Sequence, residues 1–466
     1  MARRQLDRLA IGLFLAVSIT AFETLAVGTI LPTITDEFRG DRLYGATFVA
    51  YMVANLIALV AAGERGDRTG LARPFAEAIV IFAAGLLVAG VANSMWLVLV
   101  GRALEGGGTG VFLTLSFAAA RRGYDEDSQG RMYALLSTGW VLPSLIAPFV
   151  AGWVTDCVGW RWVFIGLIPL APVVLLLTYP SLRHLDAAST LDRSTTGSRV
   201  PTSIVLAVGI SLITAASYSA RWWLVTIFAA AGGAISVRSL RGLMPTGMWR
   251  AQRGRPAAVL ARICATLAFN GANFFIPLGA RRVHDASPTV QGALILGAAL
   301  TWNAGQWMAV RWHTRLGLHR LAGLGFVVLG AGSTASILVV NRSVSLWVVF
   351  AVWTAAGLGM GLLFNPTSQV AIGGAEASIA GLASMQVSVA DVIGFSVIAA
   401  FGGALVSFAD QTSLTLSTAL VVTFLAGSAA AAVGTVAGWR ITERAATGNP
   451  GSASGEHSAG DEVHAE

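Results

Sequence analysis

Fourteen apolar runs follow one another along this chain, and few folds can accommodate that. They lie near 9–31, 43–62, 75–92, 96–119, 132–154 and 161–179, then 202–218 and 222–237, then 257–280, 290–310, 321–340, 344–364, 379–404 and 414–438. A helix that crosses a bilayer core of about 30 Å needs roughly 17–25 such residues. In lipid every backbone N–H and C=O must find its partner inside the protein, which leaves helices or a closed barrel. A barrel would show alternating segments of about 10 residues, and these runs do not alternate. The chain is 55% hydrophobic and 12% charged, against roughly 25% charged in soluble domains. The expected fold is therefore an all-α polytopic membrane protein.

Several function classes drop out. The formal charge of +7 is carried by arginine alone, mostly in the loops between runs, so it reads as membrane topology and not as a nucleic-acid surface. With no lysine in the chain there is no phosphate-binding Gly-x-x-x-x-Gly-Lys loop. Cys157 and Cys264 make neither a disulfide framework nor a metal site. No enzyme motif, metal cluster or cofactor signature is expected. Energy for any work must come from an ion gradient. The N-terminal run reaches about Leu31 without a small-residue cleavage site, so it reads as a first span.

The arginines also set the expected orientation. Alternate loops, counted from the N-terminus, hold 22 arginines and the opposite loops hold 7. The arginine-rich side faces the cytoplasm, which places both termini and the loop Gly63–Arg73 there. The central runs, 202–218 and 222–237, have arginine-rich flanks on both sides, so they form two spans or a hairpin that dips in. The expected domains are 1–180, a linker with the extra hairpin at 181–256, 257–440, and a disordered polar tail at 441–466.

The two large domains repeat one another. Arg68, Gly70 and Arg73 recur as Arg315, Gly317 and Arg320 at an offset of 247. Ala21-Phe22-Glu23 recurs as Ala268-Phe269-Asn270 at the same offset. Trp96, Gly106, Gly108 and Gly110 recur as Trp347, Gly357, Gly359 and Gly361 at an offset of 251. Loop and span matches that share an offset point to a duplicated six-helix unit. Parallel repeats of this kind place a transport site between the halves at mid-membrane.

The chain resembles the major facilitator superfamily, and within it the 14-span drug:proton antiporter branch. Gly63, Asp67, Arg68 and Gly70 fit the family's loop motif, with Leu71 and Ala72 where basic residues are usual and Arg73 following. Arg102, Gly106 and Gly108 fit the span-4 motif, with Glu105 in place of Gln. Pro148 and Gly152 fit the span-5 antiporter motif, with Pro143, Ala147 and Ala151 where glycines are usual. Glu23 to Pro32 resembles the branch's span-1 signature, with Glu for Asp. The resemblance covers about 1–440. It implies two six-helix bundles plus two extra central helices, a part for Arg102 in proton coupling, and a clasp between the halves by Gly63, Asp67, Arg68, Gly70 and Arg73.

A charged side chain in a span costs about 2.5–3.5 kcal/mol, so each one calls for a reason. Glu23 sits mid-span and its repeat mate is the uncharged Asn270, so packing alone does not demand a carboxylate. It can carry a proton across, or it can hold span 1 to a neighbour through an arginine. Arg102 and Glu105 are three residues apart and share a helix face. They can be a proton relay or a plain intrahelical ion pair. Asp391 is the one acid inside a second-half span, a candidate for proton or cation binding. Asn270, Asn273, Trp302, Asn303, Gln306, Asn365 and Gln386 are candidate cavity residues, each also able to serve as a helix–helix hydrogen bond.

The expected function is export of hydrophobic or amphipathic small molecules in exchange for protons, as in multidrug efflux. The expected setting is a bacterial plasma membrane, with the chain working as a monomer. The alternatives are a same-fold transporter of a specific metabolite or lipid, and a membrane receptor or structural partner that transports nothing.

Overall fold

The computed structural model describes residues 3–188, 200–216, 222–373, 380–411 and 414–441. The polar stretch 189–199, the turn of the central pair at Ser219–Arg221 and the tail from 442 onward lie outside the described residues. Among the described residues every regular element is helical. The first half holds α1 (Arg3–Phe38), α2 (Tyr44–Thr69), α3 (Ala72–Gly90), α4 (Met95–Gly123), α5 (Glu126–Val158), the short α6 (Arg161–Ile165) and α7 (Leu170–Ala188). The central pair is α8 (Val200–Ala216) and α9 (Trp222–Leu243). The second half holds α10 (Arg255–Asn273), α11 (Phe275–His284), α12 (Pro288–Leu316), α13 (Leu318–Ala335), α14 (Leu346–Ser368), α15 (Ala380–Gln411) and α16 (Leu416–Trp439). Ten helical stretches are long and apolar enough to cross a membrane. The helices α4 and α12, of 29 residues each, have the length as well.

Two segments differ from the sequence reading. The expected loop Gly63–Arg73 is mostly helix: α2 runs through its polar end to Thr69, and α3 starts at Ala72. The polar side chains are tolerated because a helix end that reaches water pays nothing for them, and Arg68 in the last turn complements the helix dipole. The break itself is Gly70, at φ +85° and ψ 176°, a region that residues with a Cβ avoid. Residues 181–188, read as a polar linker, likewise continue α7.

The repeat holds at the level of contacts. In the first half α4 packs on α2 and α3, and α1 on α5 and α7. In the second half α14 packs on α12 and α13, and α10 on α15 and α16. Gly106 lies against the backbone of Tyr51, Gly108 against Ala78, and Gly110 against Asn55. Their mates Gly357, Gly359 and Gly361 lie against Ala298, Gly325 and Trp302, each 247 residues further on. Without a Cβ the helix backbones meet directly, which is how helices associate when lipid gives no hydrophobic drive between them. Gly317, the mate of Gly70, ends α12 at φ +76° and ψ 154°.

These two turns give a differential prediction. A Cβ on Gly70 would stand 2.5 Å from Cγ of Asp186, whereas one on Gly317 meets only the His319 ring at 3.2 Å. Both alanine variants bear the backbone strain of about 1–3 kcal/mol. Gly70→Ala also displaces a carboxylate. Its thermal unfolding in detergent is therefore expected at a lower temperature than that of Gly317→Ala.

Candidate functional site

The end of the molecule that carries Gly70 is called the loop end here. The opposite end carries residues 36–45, 285–290 and 410. There the two halves meet along two seams, α5 on α12 and α2 on α15. At one seam Gly152 lies against Pro288 and Gly292 against Pro148; at the other Gly45 lies against Ala399 and Gly403. Gly45 and Gly292 are repeat mates at 247, and Pro148 and Gly152 map onto Ala399 and Gly403 at 251. Both Pro148 and Pro143 are buried within α5. The antiporter-motif residues Pro148 and Gly152 are thus the first half's contribution to a two-fold pair of seams. Pro143 lies further along the same helix.

Ions rim these seams. Arg281 pairs with Asp36 at 2.8 Å, and Arg282 pairs with Asp36 at 2.8 Å and with Asp41 at 2.6 Å. Arg42 pairs with Asp410 at 3.1 Å, and the Thr289 N–H donates to Asp156 at 3.0 Å. Below them Tyr44 donates to the Phe274 carbonyl at 2.5 Å, and Phe48 stacks on Phe274 at 4.1 Å between ring centres. None of these acids stood out in the sequence, because each sits in an ordinary-looking helix end.

The centre of the first half holds a charged network on three helices. Arg102 on α4 forms ion pairs with Glu105 at 2.6 Å and with Glu23 on α1. All three are buried, at 1% exposure or less. Tyr51 on α2 lies under the guanidinium, 4.2 Å from its ring centre. Its hydroxyl bonds Thr24 at 2.8 Å and Thr109 at 3.0 Å. Nε of Arg102 and Oε1 of Glu105 are buried without a hydrogen-bond partner. Glu105 thus pairs within its helix, and Glu23 ties α1 to α4 through the same arginine. Two carboxylates against one guanidinium leave a formal charge of −1, which becomes zero when the set holds one proton. Several kcal/mol separate a balanced buried set from an unbalanced one.

At the equivalent place in the second half the charges are gone. Trp353 stands where Arg102 would, fully buried and tilted against Phe269 at 5.1 Å. Trp302 meets Phe269 and Phe364 edge-on at 5.0 and 5.2 Å. Asp391 is one-third exposed and held from two sides by Arg262, Nε to Oδ1 at 2.5 Å and Nη2 to Oδ2 at 2.9 Å. Arg262 also donates to the Phe364 carbonyl and to Ser368 at 3.3 and 3.0 Å, and lies 3.4 Å from the centre of the Phe364 ring. The arginine therefore ties α10, α14 and α15 together. Its importance was within reach of the sequence: an arginine mid-span needs an acid, and Asp391 is the one its half provides.

The expected cavity residues separate into groups. Trp302, Asn303, Gln306, Asn270, Asn273 and Asn365 are all half-buried. Asn303 bonds the Ala299 carbonyl and reaches Ser144 of α5, at 3.4 Å, across the halves. Asn270 donates to the Thr266 carbonyl of its own helix at 2.7 Å, and Asn365 to the Gln306 carbonyl at 3.4 Å. Gln386 is different. It is buried, donates to the Leu243 carbonyl at 2.6 Å and accepts from Arg255, so its amide anchors α15 to the end of α9 and the start of α10.

At the loop end the expected clasp turns inward. The N–H groups of Leu71 and Ala72 donate to the two oxygens of Asp186, at 2.7 and 2.8 Å, which caps the first turn of α3. Arg65 and Arg73 both pair with Glu77, at 2.7 and 3.0 Å. Gly63 and Asp67 lie on the last turns of α2, with the Asp67 side chain outside the described residues, and Arg68 is exposed. These contacts bind the motif to its own half. The capping acid is Asp186, which the sequence reading passed over as linker.

The fold matches that of known proteins. The bacterial homologue of the human lysosomal transporter Spinster, in an inward-facing and unoccupied conformation, superposes with a TM-score of 0.64 at 14% identity, over 95% of this chain and 98% of that one. A peptide transporter POT in complex with sulfate gives 0.67 at 17% identity, over 92% and 93%. In sequence, the chain is 28% identical to the acurin A biosynthesis cluster MFS-type transporter of Aspergillus aculeatus, over 63% of this chain and 55% of that protein. It is 20% identical to the multidrug efflux pump SdrM of Staphylococcus aureus, over 77% and 80%. An MFS-type transporter of Mycobacterium tuberculosis is 25% identical over 60% and 42%. The chain thus spans about half the length of two of these relatives. The family profile for the Major Facilitator Superfamily covers residues 13–254, more than half of the chain, and the chain belongs to that family.

Proposed function

We propose that the chain is a secondary active transporter that exports hydrophobic or amphipathic small molecules in exchange for protons. The observation that carries this reading is the buried Glu23–Arg102–Glu105 network, which is electrically balanced only when it holds one proton. A membrane receptor or structural protein has no use for three charges kept in spans at this cost. The aromatic second half, with Trp302, Trp353, Phe269 and Phe364, suits apolar and flat cargo. The multidrug efflux pump SdrM is among the relatives. The bidentate hold of Arg262 on Asp391 speaks against a free cation site there and gives Asp391 a positioning role. Membership of a transporter family sets the protein apart from enzymes.

In this reading two six-helix bundles rock about the seams, and α8 and α9 complete 14 spans. With the arginine-rich loop end in the cytoplasm, the seam end faces outward and the structure corresponds to the inward-facing state. The Gly63–Arg73 segment would then reach across to the other bundle only when the molecule turns outward. The same fold could carry one specific metabolite, as a biosynthesis-cluster relative suggests. A panel of dissimilar dyes separates the two readings, since a metabolite carrier moves none of them. The central test is proton release on substrate addition to proteoliposomes. Substrate flux with no proton movement overturns the coupling.

The ion pairs at the seam end give a further prediction. Arg282→Gln removes the contacts to both Asp36 and Asp41. Half-exposed pairs contribute about 0.2–1 kcal/mol each. The population open at that end is expected to rise by up to about thirtyfold, read as a longer distance between spin labels on the ends of α1 and α11.

A further inference from the structure

The central pair carries a feature that transport does not explain. Arg238 and Arg241 are exposed on the last turns of α9, beside an open groove of about 530 Å³ that they line with Ala234 and Val237. Arg250 and Arg253 are exposed in the segment that follows. Among the described residues none of these four arginines has an ion-pair partner. Between Asp192 and Asp285 the sequence has no acid at all. Arg238 and Arg241, without an ion-pair partner among the described residues, thus border a groove whose other lining residues, Ala234 and Val237, are apolar. The flank is apolar too, with Val205 and Val208 exposed on α8 and Val237 on α9. Trp249, more than half exposed, stands just beyond, as a ring at a membrane boundary does.

We propose that this face of α9 binds an anionic phospholipid, with Arg238 and Arg241 holding the headgroup phosphate and Ala234 and Val237 seating the upper acyl carbons. Guanidinium forks suit phosphate oxygens, and among the described residues neither Arg238 nor Arg241 is paired with a carboxylate. Within the pair, α8 packs on α2 and on α15, one helix from each half, and α9 packs on α8. A lipid held on α9 therefore sits beside the helix that touches both halves. The proposal requires only that the chain is embedded in a membrane, and it stands or falls apart from proton coupling.

The test is native mass spectrometry of the full-length protein after exchange into equimolar phosphatidylglycerol and phosphatidylcholine. The expected result is one retained phosphatidylglycerol in preference to phosphatidylcholine, weakened by added salt. The double variant Arg238→Gln, Arg241→Gln loses about thirtyfold in apparent affinity, at roughly fivefold per arginine near an anionic surface. Control variants Arg121→Gln and Arg311→Gln, which remove exposed charge elsewhere at the loop end, keep the wild-type retention. Equal retention of both lipids, or an unchanged double variant that unfolds at the wild-type temperature, overturns the proposal. Displacement of the lipid by millimolar inorganic phosphate also overturns it, in favour of a soluble-phosphate site. If the double variant fails to fold, the single variants carry the test, each expected to lose about fivefold.

Discussion

Arg102→Met should destabilise the protein by about 3–5 kcal/mol, the cost of leaving buried charge without its partner. Both Glu23 and Glu105 lose their cation, and both are buried at 1% exposure or less. The expected readout is a clear fall in unfolding temperature in detergent. The triple variant Glu23→Gln, Arg102→Met, Glu105→Gln removes all three charges and should recover most of the loss. Replacing a whole buried ionic set by neutral groups of similar size is often close to neutral. An Arg102→Met variant as stable as the wild type would mean that the network is solvated, and the one-proton argument would fail with it.

Glu23→Gln separates function from stability. The variant keeps Arg102 paired with Glu105, so the set is neutral and unfolding should stay near the wild-type temperature. Substrate should still bind and equilibrate downhill. Uphill transport driven by a proton gradient should be lost, and so should proton release on substrate addition, because glutamine holds the site permanently in its uncharged form. Full coupling in this variant would sink Glu23 as the proton carrier and leave Glu105 as the remaining carboxylate of the set.

The sequence made the scaffold legible and left the rotation of its helices obscure. Apolar run length and backbone hydrogen bonding determine helices with little freedom, and the matching offsets at Gly70 and Gly317, and at Gly106 and Gly357, exposed the duplication. The Arg102–Glu105 pair was readable because spacing of three on one helix is a local fact. That Arg262 needs an acid followed from its place in a span, but its hold on Asp391 was not a local fact, since it joins residues 129 apart in sequence. Helices surrounded by lipid are apolar on nearly every side and lack the stripe that shows which face looks inward. For the same reason Gln386 could not be told from Asn303: one is spent on the Leu243 carbonyl, the other reaches between the halves. Asp186 was invisible because the polar segment around it gave no sign that α7 continues.

The paired seams bear on how the molecule can move at all. Gly45 against Ala399 and Gly403, and Gly292 against Pro148 with Gly152 against Pro288, are contacts of bare backbone. At these points no side chain stands between the two backbones, so each can act as a plain bearing, and the repeat sets the two bearings symmetrically on either side of one axle. A bulky residue at either would jam the turn without touching substrate or proton. Such a variant would bind its cargo normally and never deliver it.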